Sequence, residues 1–268
     1  MKAEKQVIYE HSEIKYTISG DGLPVVLIHG FAEDGSVWDH QVAFLENSYK
    51  LIIPDLPGSG RSTILRKDRI QMEDYAGCIK AILDAEEIAS CTMIGHSMGG
   101  YITLAFAEKY PEKLLLMGLF HSSAYADDPA KIETRKKANE FIRQNGPAAF
   151  LKTSIPGLFF DTEKSEHDIE TLLEKGNNFT GEALIQYYDA MMDRPDRTAV
   201  LKNAAFPVLF IAGRHDKAVP FSHSLEQAKL PGFSYIHILR NSAHMGMLEE
   251  TERSNKILAD FLQTGDVK

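Results

Sequence analysis

One serine of this sequence lies in a segment whose spacing suits covalent catalysis. Residues 95–99 read GHSMG and match the pattern G-x-S-x-G, with Ser97 at the centre. An apolar segment typical of a strand precedes the motif, and a segment typical of a helix follows it. A nucleophile on such a sharp turn needs small neighbours, because adjacent chains pass close to it, and Gly95 and Gly99 meet that need. The motif therefore predicts that Ser97 is a nucleophile; the alternative is an ordinary serine N-cap at a glycine-rich helix start.

A serine hydroxyl needs a general base, and the base needs an acid that orients it. Of the ten histidines, His244 is the best placed, because it lies in a short polar loop between the last predicted strand and the C-terminal helix. Asp216 follows the preceding predicted strand, and functional groups of an open α/β sheet gather at the carboxyl ends of its strands. Asp127 and Asp128 also follow the end of a strand, but residues 121–123 (HSS) intervene, and the pair precedes Pro129, which is typical of a helix start. We predict a triad of Ser97, His244 and Asp216.

Alternating apolar and amphipathic segments predict the scaffold that must position these side chains. Short, uninterrupted apolar runs are typical of strands covered on both faces, and the amphipathic stretches between them are typical of helices. The alternation predicts an α/β fold with a mostly parallel, doubly wound sheet of about eight strands. The predicted strands are residues 6–11, 14–19, 25–28, 51–53, 92–94, 114–120, 208–212 and 235–239, and the predicted core helices are residues 37–45, 72–85, 102–110, 222–229 and 250–262.

The pattern changes in the middle of the chain. From residue 124 to residue 202 the apolar strands stop, and charged helical segments replace them. We therefore predict a core formed by residues 1–123 and 203–268, with a helical cap inserted at residues 124–202. Most large apolar side chains of the cap are expected to pack it onto the core, and some are expected to line the substrate pocket. They are Phe141, Phe150, Phe159, Phe160, Phe179, Tyr187, Tyr188, Met191 and Met192.

The composition excludes several classes of protein. A chain of 268 residues that is 44% hydrophobic can bury a core without disulfides or metals. Its formal charge of −9 and its lack of long basic runs argue against a nucleic-acid partner. No apolar run is long enough to predict a membrane span. Cys78 and Cys91 are expected to be reduced and structural, which, with an N-terminus lacking a signal-peptide pattern, predicts a cytoplasmic protein.

Together, these features resemble the α/β-hydrolase superfamily over nearly the whole chain. The chain order of nucleophile, acid and histidine is the family's order, and residues 29–31 (HGF), after the third strand, resemble its oxyanion motif. By that resemblance, the backbone N–H groups of Phe31 and Met98 form the oxyanion hole. Residues 55–62 (DLPGSGRS) resemble another loop of the family. We interpret that loop as structural, because it lacks the third glycine of a dinucleotide fingerprint and Pro57 offers no N–H to a phosphate.

The resemblance implies acyl transfer without a cofactor or a metal. We predict a serine hydrolase that cleaves small to medium, apolar carboxylic esters through an acyl-enzyme. A serine at the nucleophile position argues against the epoxide and halide chemistry of relatives that have an aspartate there. Thioesters, lactones and C–C bonds next to a ketone are alternative substrates of the same triad. A non-hydrolytic lyase or perhydrolase and a ligand-binding receptor are alternatives of another class. The expected partner is a small-molecule substrate, and the sequence leaves the oligomeric state undetermined.

Overall fold

The computed structural model describes residues 2–265, which contain one eight-stranded sheet flanked by helices. The spatial order of the strands is β1-β2-β4-β3-β5-β6-β7-β8. The pairs β1–β2 and β2–β4 are antiparallel, and the other five pairs are parallel. The predicted fold class, a mostly parallel sheet of about eight strands, is confirmed. The strands are β1 (Ala3–Tyr9), β2 (Ser12–Ser19), β3 (Leu23–Ile28), β4 (Tyr49–Pro54), β5 (Cys91–His96), β6 (Leu114–Phe120), β7 (Val208–Gly213) and β8 (Ser234–Leu239).

The central strands are buried, as their uninterrupted apolar sequences predict. Every residue of β5 and of β7 is buried. Among the helices of the core, α2 packs against α3, and α1 packs against α11. Both cysteines are buried free thiols, Cys78 in α2 and Cys91 at the start of β5. The core helices are α1 (Asp39–Leu45), α2 (Met72–Ala85), α3 (Met98–Lys109), α9 (Phe221–Gln227), α10 (Gly246–Glu249) and α11 (Thr251–Leu262).

Between β6 and β7 the chain forms only helices, and we call residues 124–202 the helical segment. The side chain of Asp128 caps the first of these helices by accepting the N–H of Lys131 over 2.8 Å, as expected of an aspartate before Pro129. Of its large apolar side chains, Phe141 and Phe160 are exposed. The division of the chain into a core and a cap stays a prediction. The helices are α4 (Pro129–Asn145), α5 (Pro147–Ser154), α6 (Glu166–Gly176), α7 (Gly181–Asp193) and α8 (Thr198–Lys202).

Several boundaries differ from the predicted ones, for local physical reasons. The first strand is predicted to run to His11, but β1 ends at Tyr9, because Glu10 and His11 have φ values of 45° and 66° and form the turn to β2. The predicted C-terminal helix at residues 250–262 is α11, and a short helix that was not predicted, α10, precedes it and is separated from it by Glu250 (φ −127°, ψ 56°). None of the helices within residues 2–265 is long and apolar enough to span a membrane.

Candidate active site

Ser97 lies on the sharp turn between β5 and α3. Its backbone has φ 50° and ψ −115°, a region that residues with a side chain rarely adopt. Three contacts hold this conformation: the Ser97 N–H donates to the carbonyl oxygen of Phe120 over 2.9 Å, and the Ser97 carbonyl accepts the Gly100 N–H (2.9 Å) and the hydroxyl of Ser122 (2.7 Å). The strained residue is therefore fixed by the neighbouring strand β6 and by its own helix.

The glycines of the motif are required by close backbone approaches. A Cβ atom on Gly95 would lie within 3.0 Å of the carbonyl oxygen of Gly99, and a Cβ atom on Gly99 would lie within 3.0 Å of the carbonyl oxygen of Ile28 at the end of β3. Cβ atoms do not tolerate such separations, and backbone atoms cannot move away cheaply. An alanine at either position would therefore have to displace the backbone that its Cβ contacts.

Asp216 and His244, which are 28 residues apart in the chain, are in contact. Asp216 follows β7, His244 follows β8, and His244 Nδ1 lies 2.8 Å from Asp216 Oδ2. The other carboxylate oxygen accepts the backbone N–H groups of Ala218 (2.8 Å) and Val219 (2.9 Å). Burial alone would raise the pKa of Asp216, but His244 and His121 outweigh it and hold this pKa below its ordinary value. The charged carboxylate places the proton of neutral His244 on Nδ1, which leaves Nε2 as the basic nitrogen.

Ser97 and His244 line the same cavity, which has a volume of about 500 Å³. Phe31, after β3, lines it too, and its ring stacks on Tyr188 of α7 at a centroid distance of 4.3 Å. A larger groove of about 900 Å³ runs between residues 67–70 and α7, and it contains none of the five predicted site residues. We therefore place the candidate site in the smaller cavity, which the predicted nucleophile and the predicted base both line.

The predicted oxyanion residues lie on neighbouring strand ends. β3 and β5 pair in parallel, with Ile28 opposite Gly95, so the turns after both strands lie side by side. Met98 is the first residue of α3, directly after Ser97, and Phe31 lies three residues beyond β3. The structure thus brings both residues to the edge of the sheet that holds Ser97. Their role as donors to an oxyanion stays a prediction.

His29 of the HGF segment fixes the loop that contains Phe31. The backbone N–H of Leu56 donates to His29 Nε2 over 2.9 Å, so the ring proton of His29 is on Nδ1, which donates to the carbonyl of Gly30 over 2.8 Å. The loop at residues 55–62 is in turn held by Asp55, whose carboxylate accepts the N–H of Gly35 over 3.1 Å. These contacts with the protein itself agree with a structural role for residues 55–62.

A buried ion pair below the cavity was not predicted from the sequence. His96 Nδ1 lies 2.9 Å from Glu33 Oε2, and His96 Nε2 lies 3.0 Å from the carbonyl oxygen of His244. Both ring nitrogens face oxygen acceptors, so both carry protons and His96 is an imidazolium. Burial alone would lower the pKa of His96 and raise that of Glu33, but their mutual attraction reverses both shifts. No sequence pattern pointed to Glu33; its position three residues after Gly30, whose N–H it accepts, is the only local signal.

His121, directly after β6, is a second buried histidine that sequence reasoning missed. Its Nδ1 lies 3.3 Å from Asp216 Oδ2 and 3.0 Å from the backbone nitrogen of Gly213, and its Nε2 lies 3.2 Å from the backbone nitrogen of Gly246. Burial lowers the pKa of His121 to about 4, against the attraction of Asp216, so the ring is neutral near pH 7. His121 therefore contacts the same carboxylate oxygen of Asp216 as His244 does, and the two rings lie 5.7 Å apart.

The same three side chains, His121, Asp216 and His244, offer ligand atoms within 4.8 Å of one another, a separation that suits a metal ion. The Asp216 carboxylate already accepts the hydrogen bond from His244, and both His121 nitrogens face backbone N–H groups. A metal ion would have to displace these contacts. The arrangement fits the orientation of His244 better than metal binding.

Comparisons with known proteins agree with this architecture. A family model described as "alpha/beta hydrolase fold" matches residues 24–117. The chain is similar to the putative carbamate hydrolase RutD of Pantoea ananatis, with 27% identity over 91% of this chain and 90% of that protein. It is also similar to the 2-hydroxy-6-oxo-6-phenylhexa-2,4-dienoate hydrolase of Comamonas testosteroni, with 24% identity over 93% of this chain and 91% of that protein.

Solved structures give the same result for the fold. A thermophilic esterase from Thermogutta terrifontis, solved with malate bound, superposes with a TM-score of 0.90 at 26% identity and covers 99% of both chains. The enol-lactonase from Burkholderia xenovorans superposes with a TM-score of 0.90 at 22% identity, over 97% of this chain and all of that chain. The resemblance noted in the sequence is thereby confirmed for the fold. The chain is a hydrolase of the α/β-hydrolase fold.

Proposed function

We propose that the chain is a serine hydrolase that cleaves carboxylic esters of small to medium size through an acyl-enzyme. The observation that carries the proposal is the 2.8 Å contact between His244 and Asp216 beside a cavity that Ser97 also lines. A nucleophile on a strained turn, a base with a free Nε2 and an ionised acid behind it are the three parts that acyl transfer by serine requires.

In the first half-reaction the Ser97 oxygen attacks the ester carbonyl, and His244 Nε2 takes the hydroxyl proton. The backbone N–H groups of Phe31 and Met98 stabilise the negative charge on the carbonyl oxygen, a kind of contact worth about 3 kcal/mol in the transition state. Asp216 stays ionised and stabilises the imidazolium of His244. The tetrahedral intermediate collapses when His244 returns the proton to the departing alcohol, which leaves the acyl group on Ser97. Water then attacks the acyl-enzyme by the same steps and releases the acid.

The helical segment is proposed to act as the cap that selects the substrate. Leu158, Tyr188 and Met191 of this segment line the cavity, and together with Phe31 they offer an apolar surface. The segment is also tied to the triad, because the backbone N–H of His244 donates to the carbonyl of Leu158 over 2.8 Å. This surface supports an apolar portion in the acyl or the alcohol part of the ester.

Other bonds are alternatives for the same triad. The similar proteins include an enol-lactonase and a dienoate hydrolase, so lactones and C–C bonds next to a ketone are the second candidates, together with thioesters. A lyase, a perhydrolase or a receptor would use the same fold without sustained hydrolysis.

A panel of p-nitrophenyl esters of increasing acyl chain length tests the proposal. We expect turnover by the wild type, its loss in Ser97→Ala and its retention in Ser222→Ala, which changes an exposed serine of α9. A fluorophosphonate probe should label Ser97, as located by peptide mass mapping. A single stoichiometric release followed by no further product would favour a receptor, and labelling of Ser122 or Ser123 would refute Ser97 as the nucleophile.

A further inference from the structure

One wall of the candidate cavity is basic. Lys131 and Arg135 of α4 and Lys217 of the loop after β7 line it. Two acidic side chains also line the cavity, but Glu33 is paired with His96, and Asp128 is exposed and caps α4. The cavity therefore offers more positive charge than its own carboxylates neutralise.

The side chain of Arg135 is largely buried, with 11% of its surface exposed. Its Nε donates to Asp127 Oδ2 over 2.6 Å. Among residues 2–265, its two terminal guanidinium nitrogens have no hydrogen-bond acceptor. The guanidinium carbon lies 5.3 Å from the ring centroid of Tyr188, another residue of the cavity wall. Two N–H groups of a buried arginine are thus available to a molecule in the cavity.

The carboxylate of Asp127 is shared by two guanidinium groups. Arg194 Nη2 lies 2.9 Å from Asp127 Oδ1, and the Arg194 side chain is 4% exposed. Arg194 also donates hydrogen bonds to the carbonyl oxygens of Met191 and Tyr125. Two positive charges and one negative charge leave a net charge of +1 in a buried place, which is costly unless an anion lies nearby. An anionic ligand in the cavity would supply the missing negative charge.

Tyr101 adds a hydroxyl donor to the same wall. It is 3% exposed and lines the cavity, and its ring packs 3.8 Å from the guanidinium carbon of Arg194. No partner for its hydroxyl is found in the described part of the chain. Burial alone would raise the pKa of Tyr101, but the positive charges of Arg194, Lys131 and Arg135 lower it, which reports the positive potential at this hydroxyl.

We propose that Arg135 and Tyr101 form a carboxylate-binding subsite and that the substrate is an ester that itself carries a free carboxylate. The inference rests on the proposed ester hydrolysis at Ser97 and names its substrate class. The planar guanidinium offers two parallel N–H groups that match the two oxygens of a carboxylate, and the Tyr101 hydroxyl donates a third hydrogen bond. The apolar wall at Leu158 and Met191 then faces the carbon chain between the carboxylate and the ester.

The test compares charged esters with neutral isosteres. In one arm the carboxylate is in the acyl part (p-nitrophenyl hemisuccinate against p-nitrophenyl methyl succinate). In the other arm it is in the alcohol part (3-acetoxybenzoate against its methyl ester). In at least one arm we expect the wild type to prefer the charged ester. In that arm Arg135→Met should reduce the charged-to-neutral ratio of kcat/KM by about 10- to 100-fold, mainly through a higher KM for the charged ester. Tyr101→Phe should reduce the ratio less, and Arg135→Lys should restore part of it.

Arg143→Met is the matched control, because Arg143 is an exposed arginine of α4 that does not line the cavity. This variant should keep the wild-type ratio, and circular dichroism should confirm that each variant is folded. If Arg135→Met leaves the charged-to-neutral ratio unchanged in both arms, the subsite is refuted while ester hydrolysis stands.

If no ester is turned over, ester hydrolysis fails, and the subsite is then judged by binding. Calorimetric titration of succinate into the wild type and into Arg135→Met should give binding only in the wild type. Equal binding, or no binding by either protein, would refute the subsite.

Discussion

His96 donates a hydrogen bond from Nε2 to the backbone carbonyl of His244 over 3.0 Å. The residue that precedes the candidate nucleophile therefore holds the backbone of the candidate base. The other nitrogen of His96 is bound to Glu33, so a buried ion pair supports the loop that carries His244. His244 is therefore held at its carbonyl by His96, at its backbone N–H by Leu158 and at its imidazole by Asp216.

Replacing Glu33 with glutamine should change how stability depends on pH. The pKa of His96 is raised above its ordinary 6.5, so its contribution is complete below pH 6.5 and is lost as the pH rises through the pKa of the folded state. The pKa of Glu33 is lowered below 4.5, so its contribution is present above pH 4.5 and is lost as the pH falls through the pKa of the folded state. The ion pair therefore stabilises the fold most between pH 4.5 and pH 6.5.

We expect Glu33→Gln to lower the free energy of unfolding by about 3 kcal/mol at pH 5.5, because it leaves His96 buried without its partner. The difference from the wild type should shrink at pH 9, as measured by urea unfolding at both values. Glu112→Gln, which changes an exposed glutamate, should match the wild type at both. The same loss at pH 5.5 and at pH 9 would rule out an ion pair.

Acid should destabilise the protein through His121 in a separate pH range. The pKa of this buried imidazole is lowered to about 4, so the unfolded chain binds a proton between pH 6.5 and pH 4 that the folded chain does not bind. The free energy of unfolding should therefore fall by about 3 kcal/mol over this range from this residue alone. Urea unfolding at half-unit pH steps should give a shallower fall for His121→Gln than for the wild type. Equal slopes would show that His121 is not held neutral.

Asp216→Asn should reduce kcat on a p-nitrophenyl ester by about 10⁴-fold with little loss of stability. An amide in place of the carboxylate neither fixes the Nδ1–H form of His244 nor stabilises its imidazolium. Asp128→Asn should keep near wild-type kcat, because Asp128 caps α4 and does not contact His244. If Asp128→Asn loses activity and Asp216→Asn keeps it, Asp216 is the wrong acid.

Gly99→Ala should destabilise the fold and reduce turnover. Its Cβ would press on the backbone carbonyl of Ile28, which cannot move without displacing β3 and the turn that carries Ser97. We expect a loss of about 1–3 kcal/mol in the free energy of unfolding, measured in urea, together with a lower kcat. Gly157→Ala is the control, because no atom lies within 4 Å of its added Cβ, and it should change stability by less than about 0.5 kcal/mol. Equal stability of the two variants would contradict the close approach at Gly99.

The fold class and the location of the site could be predicted because their signals are local. Uninterrupted apolar runs mark buried strands wherever the chain places them, and the glycines around Ser97 mark a close backbone approach. Boundaries were less predictable, since the turn at Glu10 and His11 contains no glycine, proline or asparagine that would mark it.

Polar contacts between distant residues were decided by the tertiary structure alone. Glu33 is 63 residues from His96, which is 148 residues from His244, and glutamate, histidine and arginine are ordinary surface residues in most sequences. Nothing local distinguishes Arg135, whose neighbour in space is Asp127, from the exposed Arg143 on the same helix. The sequence by itself thus determined the sheet, the order of its strands along the chain and the nucleophile turn, because these depend on short-range patterns. Which charges became buried, and which of them face the cavity, depended on long-range packing.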